Sequence, residues 1–181
     1  MNDALRAIAA AHGGVFTHAD AVRAGVTDAT LDALIGSRRI TRLRRGVYVL
    51  AAIWQDAAFE ERYRLRTRGL LLAGPADWAA SHHAALALAG LPLFGVDLDT
   101  IDIVGPTDRV RTRGGVRRHP RDSRLLKATL PLVDEPTLRV ATAPALLQVF
   151  ASSGRPAATV AADAALRQGA VTVDDLQAWV A

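Results

Sequence analysis

The segment VFTHADAVRAGVTDATLDALIGSRRITRLRRGVYVL, residues 15–50, decides how the N-terminal part of the chain folds. Thr17 is a favourable N-cap for a helix over residues 18–24, and Thr27 is a favourable N-cap for a second helix over residues 28–35. A glycine and a valine separate the two helices. Because short helices joined by a tight glycine-containing turn are typical of a helix-turn-helix, the segment predicts that motif.

The hydrophobic period changes after the second helix, over residues 38–50. These residues predict two β-strands that turn at Arg45-Gly46. Five of the eight residues 38–45 are arginine. A β-hairpin that follows a recognition helix is a wing, and its arginines contact phosphates or enter the minor groove of DNA. We therefore predict a winged helix-turn-helix over residues 1–52, preceded within that domain by a helix over residues 3–12.

The remainder of the chain, residues 53–181, alternates helical and extended patterns and predicts a second domain of α+β type. Helices are expected over residues 57–73, 82–89, 142–150, 157–168 and 173–180. Strands are expected over residues 100–104 and 130–133, and a hairpin with a Gly-Gly turn is expected over residues 110–119. The predicted fold class is α+β, with a winged helix-turn-helix followed by a mixed α+β domain.

Positive charge is concentrated in two segments of the chain. The chain has 22 basic and 18 acidic residues, a formal net charge of +4. Residues 1–50 carry +3 and residues 105–130 carry +6, whereas residues 51–104 carry −3 and residues 131–181 carry −2. This clustering predicts one or two electropositive surfaces. The chain has no cysteine, and no apolar stretch approaches the length of a membrane span or a signal peptide, so a cytoplasmic location is expected.

DNA contacts are expected from the outward face of the second helix and from the wing. Small side chains on that helix permit close approach to base edges, and the arginines suit phosphate contacts. The acids Asp28 and Asp32 are expected to have capping or structural roles. The predicted DNA-binding residues are Thr27, Ala29, Thr30, Ala33, Ser37, Arg38, Arg39, Arg42, Arg44 and Arg45.

The second basic hairpin offers a possible second DNA surface. Contact with DNA, a solvated surface and binding of another acidic partner remain alternatives, and the first requires that both basic surfaces face the same way. The candidate residues are Arg109, Arg111, Arg113, Arg117, Arg118 and Arg121.

The sequence does not predict an enzyme, a cofactor or a metal site. Ser81-His82-His83 is interpreted as a capped helix start, because adjacent histidines on a helix diverge by about 100° and cannot readily share one ion. Lys127, the single lysine, does not complete the acid–x–lysine motif of restriction-type nucleases. No glycine-rich phosphate loop follows a predicted strand.

Several short motifs resemble those of AbiEi-type antitoxins, which belong to type IV toxin–antitoxin and abortive-infection systems. The most specific is the arginine-rich turn into Gly-Val-Tyr. The segments that carry the resemblance are Gly14-Val15-Phe16-Thr17, Ala24-Gly25-Val26, Leu31-Asp32-Ala33-Leu34-Ile35, Leu43-Arg44-Arg45-Gly46-Val47-Tyr48, Ala80-Ser81-His82-His83-Ala84-Ala85-Leu86, Gly90-Leu91-Pro92 and Val140-Ala141-Thr142-Ala143-Pro144-Ala145-Leu146-Leu147.

The resemblance implies a transcriptional repressor that binds its own promoter region. It also implies an antitoxin that counters a nucleotidyltransferase-like toxin without forming a stable complex with it. Two rival interpretations stay open: the DNA-targeting portion of a longer Vsr-like nuclease-fold fusion, non-catalytic in these residues, and a winged helix used only for protein contacts. The operator sequence and the oligomeric state stay open as well.

Overall fold

The computed structural model describes residues 2–132 and 137–180, which form a mixed α+β protein. The N-terminal part consists of α1 (Asp3–Ala11), β1 (Val15–Thr17), α2 (His18–Arg23), α3 (Asp28–Gly36), β2 (Ile40–Arg44) and β3 (Val47–Leu50). Then follow α4 (Ala51–Asp56), α5 (Phe59–Ala73), β4 (Ala79–Ala80), α6 (His82–Leu88) and β5 (Ile101–Gly105). The last elements are β6 (Arg111–Arg113), β7 (Val116–Pro120), α7 (Ser123–Lys127), β8 (Thr129–Pro131), β9 (Leu138–Val140), α8 (Thr142–Arg167) and α9 (Val173–Val180).

The strands among the described residues form two sheets. The first has the order β1-β3-β2 and is antiparallel, and it contains the predicted wing hairpin. The second has the order β6-β7-β5-β4-β9-β8, in which β5 runs parallel to β7 and β4 runs parallel to β9. The predicted α+β fold class and the helix-turn-helix with its wing are confirmed.

The first sheet is covered on both faces, because successive side chains of a strand alternate between them. Phe16 and Tyr48 stack with ring centroids 5.5 Å apart and face the helix-turn-helix core. Their neighbours Val15, Val47 and Val49 face the other side and pack against Leu65 of α5. The sheet is therefore held between the three N-terminal helices and α5.

Helix α5 packs against the first sheet and also contributes to the hydrophobic core of the second part of the chain. Leu65 is fully buried against the first sheet, whereas Tyr63 and Leu70 belong to the large core of the second part. That second core also contains Leu86 of α6, which packs on the second sheet, and Val149 of α8, which packs against α6. The predicted division of the chain at residues 52 and 53 stays a prediction, since α5 packs against both parts.

Several elements differ from the sequence-based predictions. The link at Val15-Phe16 is strand β1, and the short helices α4 and α7 and the two-residue strand β4 were not predicted. The two helices predicted over residues 142–150 and 157–168 form the single element α8, broken at Gly154, whose φ is 82°. The strand predicted over residues 130–133 is β8, and its residue 133 lies outside the described part of the chain.

None of the helices among the described residues is long and apolar enough to cross a membrane.

Candidate nucleic-acid interface

The helix-turn-helix is fixed by side-chain caps at both of its helices. At α2, the backbone amide of Asp20 donates to Thr17 Oγ1 (3.1 Å), and the Asp20 carboxylate accepts from the Thr17 amide (2.8 Å), which makes a capping box. At α3, the Thr30 amide donates to Thr27 Oγ1 (3.2 Å). His18 Nε2 lies 2.7 Å from Asp28 Oδ1 and joins the two helices. The predicted structural role of Asp28 agrees with this contact.

The outward face of α3 carries the small residues that the sequence analysis selected. Ala29, Thr30 and Ala33 are exposed, whereas Leu31 and Leu34 are buried in the N-terminal core. Ser37 is exposed at the C-cap, and its hydroxyl donates to the Ala33 carbonyl (2.7 Å). Exposed small side chains leave the helix able to approach the floor of a major groove.

Arg38 follows α3 in a left-handed conformation, with φ 55°. The Arg39 amide donates to the Leu34 carbonyl (2.9 Å) and the Arg38 amide donates to the Ile35 carbonyl (3.0 Å), the hydrogen bonds of a Schellman motif. Glycine usually occupies this position, because a Cβ costs about 1–2 kcal/mol there. The exposed Arg38 side chain is thus held at the start of the wing by a strained backbone.

The wing divides its arginines between two grooves. Arg42 pairs with Tyr48 across the hairpin, but Arg44 pairs with Val47, so the register shifts between them. Such a bulge re-aims side chains. Arg42 and Arg45 line one groove, and Arg44 lines another.

The first groove, of about 720 Å³, lies between α3 and the wing. Its lining contains Arg42 and Arg45 together with Asp28 and Asp32, so its basic and acidic groups are balanced. Tyr48 and Ile35 form part of its apolar wall. This balance argues for a groove that admits base edges or sugar as well as phosphate, because a purely basic lining would favour phosphate alone.

The second groove, of about 490 Å³, brings the two basic hairpins together. Arg44 of the wing lines it with three arginines of the β6–β7 hairpin and with Trp78, and no acid occurs among its described lining residues. The hairpin arginines in this groove are Arg111, Arg113 and Arg118. Arg44 and these three arginines therefore make one electropositive surface from segments that are more than 60 residues apart.

The other candidates of the second hairpin lie elsewhere. Arg117 projects from the opposite face of β7, where its Nη1 lies 3.6 Å from Asp102 Oδ1. Arg121 donates from Nη1 to the Asp77 carbonyl (2.7 Å), and Arg109 is exposed outside the groove lining. Arg39 is exposed just before the wing strand. The structure thus groups three of the six predicted hairpin residues with the wing.

A comparison with family models matches residues 3–51 to a family described as transcriptional regulator, AbiEi antitoxin. The match covers the helix-turn-helix and both wing strands. The N-terminal region is therefore similar to the AbiEi antitoxin family. The resemblance read from the N-terminal motifs is therefore confirmed. No curated protein matches the chain significantly.

Outside the AbiEi-matched region, the structure assembles a polar cluster that the sequence analysis did not find. His82, Asp102 and His119 come together from the start of α6, from β5 and from β7. His119 Nε2 lies 2.7 Å from Asp102 Oδ1, and the rings of His82 and His119 stack with centroids 4.2 Å apart. Burial, followed by the nearby His119, lowers the pKa of His82 to about 4, so its imidazole is neutral. These three residues are 17 to 37 positions apart, and no local spacing signals them.

Proposed function

We propose that this chain is a cytoplasmic, sequence-specific DNA-binding protein that represses its own toxin–antitoxin operon. The observation that carries the proposal is the groove in which Arg44 of the AbiEi-type wing meets Arg111, Arg113 and Arg118 of the second hairpin. A groove lined by four arginines fits the phosphate backbone of a duplex.

Helix α3 and the two basic hairpins contribute different contacts to the proposed recognition of DNA. Helix α3 reads base edges in the major groove through Ala29, Thr30 and Ala33, because these side chains are small and exposed. The wing fixes the register through phosphate contacts of Arg42, Arg44 and Arg45. The β6–β7 hairpin extends the contact to phosphates beyond the wing.

The family description supports the regulatory part of the proposal. An AbiEi-type antitoxin that represses its own operon needs an operator in its upstream DNA. We also propose that the functional partner is a nucleotidyltransferase-like toxin, which the protein counters without forming a stable complex with it. We further propose that the protein acts by binding and not by catalysis.

The test is fluorescence anisotropy of the protein with its own upstream DNA and with a scrambled duplex across a salt series. We expect a preference of about 10³-fold or more for the upstream duplex. Arg44→Glu should abolish this binding at moderate salt. Arg155→Glu is the matched control, because it changes the net charge by the same amount. Arg155 is exposed on α8 and lies outside both grooves.

Two results would contradict the proposal. No binding at low salt would overturn DNA binding and favour a wing used for protein contacts. Equal, steeply salt-dependent binding to both duplexes would overturn sequence specificity and favour a nonspecific basic surface, as a DNA-targeting segment of a larger nuclease-fold protein would have.

A further inference from the structure

The register of β5 and β7 places Asp102 and His119 on the same face of the second sheet. Asp102 pairs with Arg117 and Val104 pairs with His119 in this parallel ladder. Since residues two apart on a strand share a face, the side chains of Asp102, Arg117 and His119 project together. His82 reaches them from the start of α6, where its φ of 50° departs from the usual range of a non-glycine residue.

The ligand atoms of His82, Asp102 and His119 all lie within 4.8 Å of one another. His82 and Asp102 are buried, with exposed fractions of 7% and 6%, and the His119 side chain is 18% exposed. A buried carboxylate is unfavourable unless its charge is compensated. Arg117 compensates it from one side, at 3.6 Å.

We propose that His82, Asp102 and His119 bind a divalent transition-metal ion of the zinc class. Two imidazole nitrogens and one carboxylate oxygen are a ligand set that zinc accepts at about 2.0–2.2 Å. Ligand atoms spread over less than 4.8 Å need only small side-chain rotations to reach a common ion at that distance. Hard cations such as Mg²⁺ are excluded by the two nitrogen ligands, since they prefer oxygen.

A pocket of about 250 Å³, lined by Thr100, Asp102, Arg117 and Ser152 among others, lies beside the cluster. Asp102 lines this pocket, whereas His82 and His119 do not. Three protein ligands with one open position are typical of zinc that keeps a water or a small ligand. Arg117 then acts as the outer partner that orients the Asp102 carboxylate.

The metal also ties the basic hairpin to the core. His119 lies on β7 next to Arg118, which lines the groove shared with the wing. A metal that holds β7 to α6 and β5 would therefore fix the position of the hairpin. This inference does not depend on DNA binding, because the ligand residues lie outside both grooves.

The test is a titration of the full chain, prepared without a histidine tag and stripped with a chelator, with Zn²⁺ and with Co²⁺. We expect one ion per chain, a rise in the unfolding midpoint with Zn²⁺, and visible d–d absorption with Co²⁺. Mg²⁺ should give neither effect at the same concentration.

His119→Gln removes a direct ligand and should weaken Zn²⁺ binding by at least ~100-fold. Loss of a residue that only orients a metal ligand already lowers metal affinity by up to ~100-fold. His12→Gln is the matched control, since His12 lies at the C-cap of α1, outside the cluster, and its removal should leave the affinity unchanged. Histidine-selective nuclear magnetic resonance of the wild-type protein serves as the second measurement in case His119→Gln does not fold. On addition of Zn²⁺, the imidazoles of His82 and His119 should shift, while those of His12 and His18 should not.

The proposal is overturned if Zn²⁺ binds no more tightly than Mg²⁺. It is equally overturned if the wild-type spectra move at His12 or His18 alone, or if His119→Gln folds and retains wild-type affinity. In those cases the cluster is a hydrogen-bonded pair of His119 and Asp102 beside a neutral His82.

Discussion

Arg42 and Arg44 lie two positions apart on the same wing strand, yet they line different grooves. The register shift between them is the cause, because Arg42 stays opposite Tyr48 on the helix-turn-helix side while Arg44 turns toward the second sheet. The wing therefore faces two surfaces at once. If DNA lies across both grooves, arginines of both hairpins contribute to a single electrostatic footprint.

The β6–β7 hairpin should contribute measurable phosphate contacts. Arg113→Gln should lower the slope of log affinity against log salt by about one unit, since one phosphate contact is lost. Arg109→Gln is the matched control, because Arg109 is exposed nearby but does not line the groove. Anisotropy across a salt series measures both slopes. Equal slopes for the two variants would show that DNA does not enter the second groove.

Arg38 is expected to lower the free energy of unfolding and to strengthen DNA binding. Arg38→Gly relieves the left-handed strain and should raise the free energy of unfolding by about 1 kcal/mol, whereas Arg38→Ala keeps the strain and should not. Both variants remove the same charge and should weaken DNA binding equally. Urea unfolding and anisotropy on the same preparations separate the two effects. A tighter-binding Arg38→Gly would mean that the side chain does not contact DNA.

Local patterns were sufficient for the helix-turn-helix. The caps at Thr17 and Thr27, the glycine turn and the change of period after α3 are all encoded within a few residues, and each is where it was predicted. Strand β1 was missed because three residues define a strand only when a partner is present, and their partners in β3 are 30 to 34 positions away.

The grooves and the polar cluster needed information that no local pattern holds. The sequence showed two basic hairpins, but whether they face each other depends on the bulge before Arg44 and on the packing of α5 between the two cores. Asp102 and His119 approach His82 only through the register of β5 and β7, which no spacing around Ser81-His82-His83 indicates. The cluster includes His82 and omits His83.

The outward face of α3 should govern specificity and not general affinity. Ala33→Leu adds bulk to an exposed position, so the fold should keep its stability while base-edge contacts are blocked. The preference for the upstream duplex should fall by about 10-fold or more, because one lost base contact costs about 1–3 kcal/mol. The slope of log affinity against log salt should not change. Ala7→Leu, on the exposed face of α1, is the control. An unchanged preference in Ala33→Leu would remove α3 from the proposed DNA interface.

Gly69 sets how closely α5 approaches the wing sheet. A Cβ at this position would lie 2.5 Å from Val47 Cγ1 and 3.2 Å from Val15 Cγ1, so the helix and the sheet would have to move apart. Gly69→Ala should therefore lower the free energy of unfolding by about 1–2 kcal/mol, because overpacking outweighs the gain in helix propensity. Gly36→Ala, in a helix where an added Cβ meets nothing within 4 Å, should instead be neutral or stabilising by up to about 1 kcal/mol.

Gly69→Ala also tests whether the two parts of the chain act as one DNA-binding surface. Since α5 packs against the wing sheet through Leu65 and against the second core through Tyr63, a displaced α5 changes the distance between Arg44 and Arg113. Gly69→Ala should then reduce the salt slope of a folded sample toward that of Arg113→Gln. Circular dichroism fixes the folded fraction and anisotropy gives the slope. A wild-type slope in a fully folded Gly69→Ala protein would indicate that the two grooves bind independently.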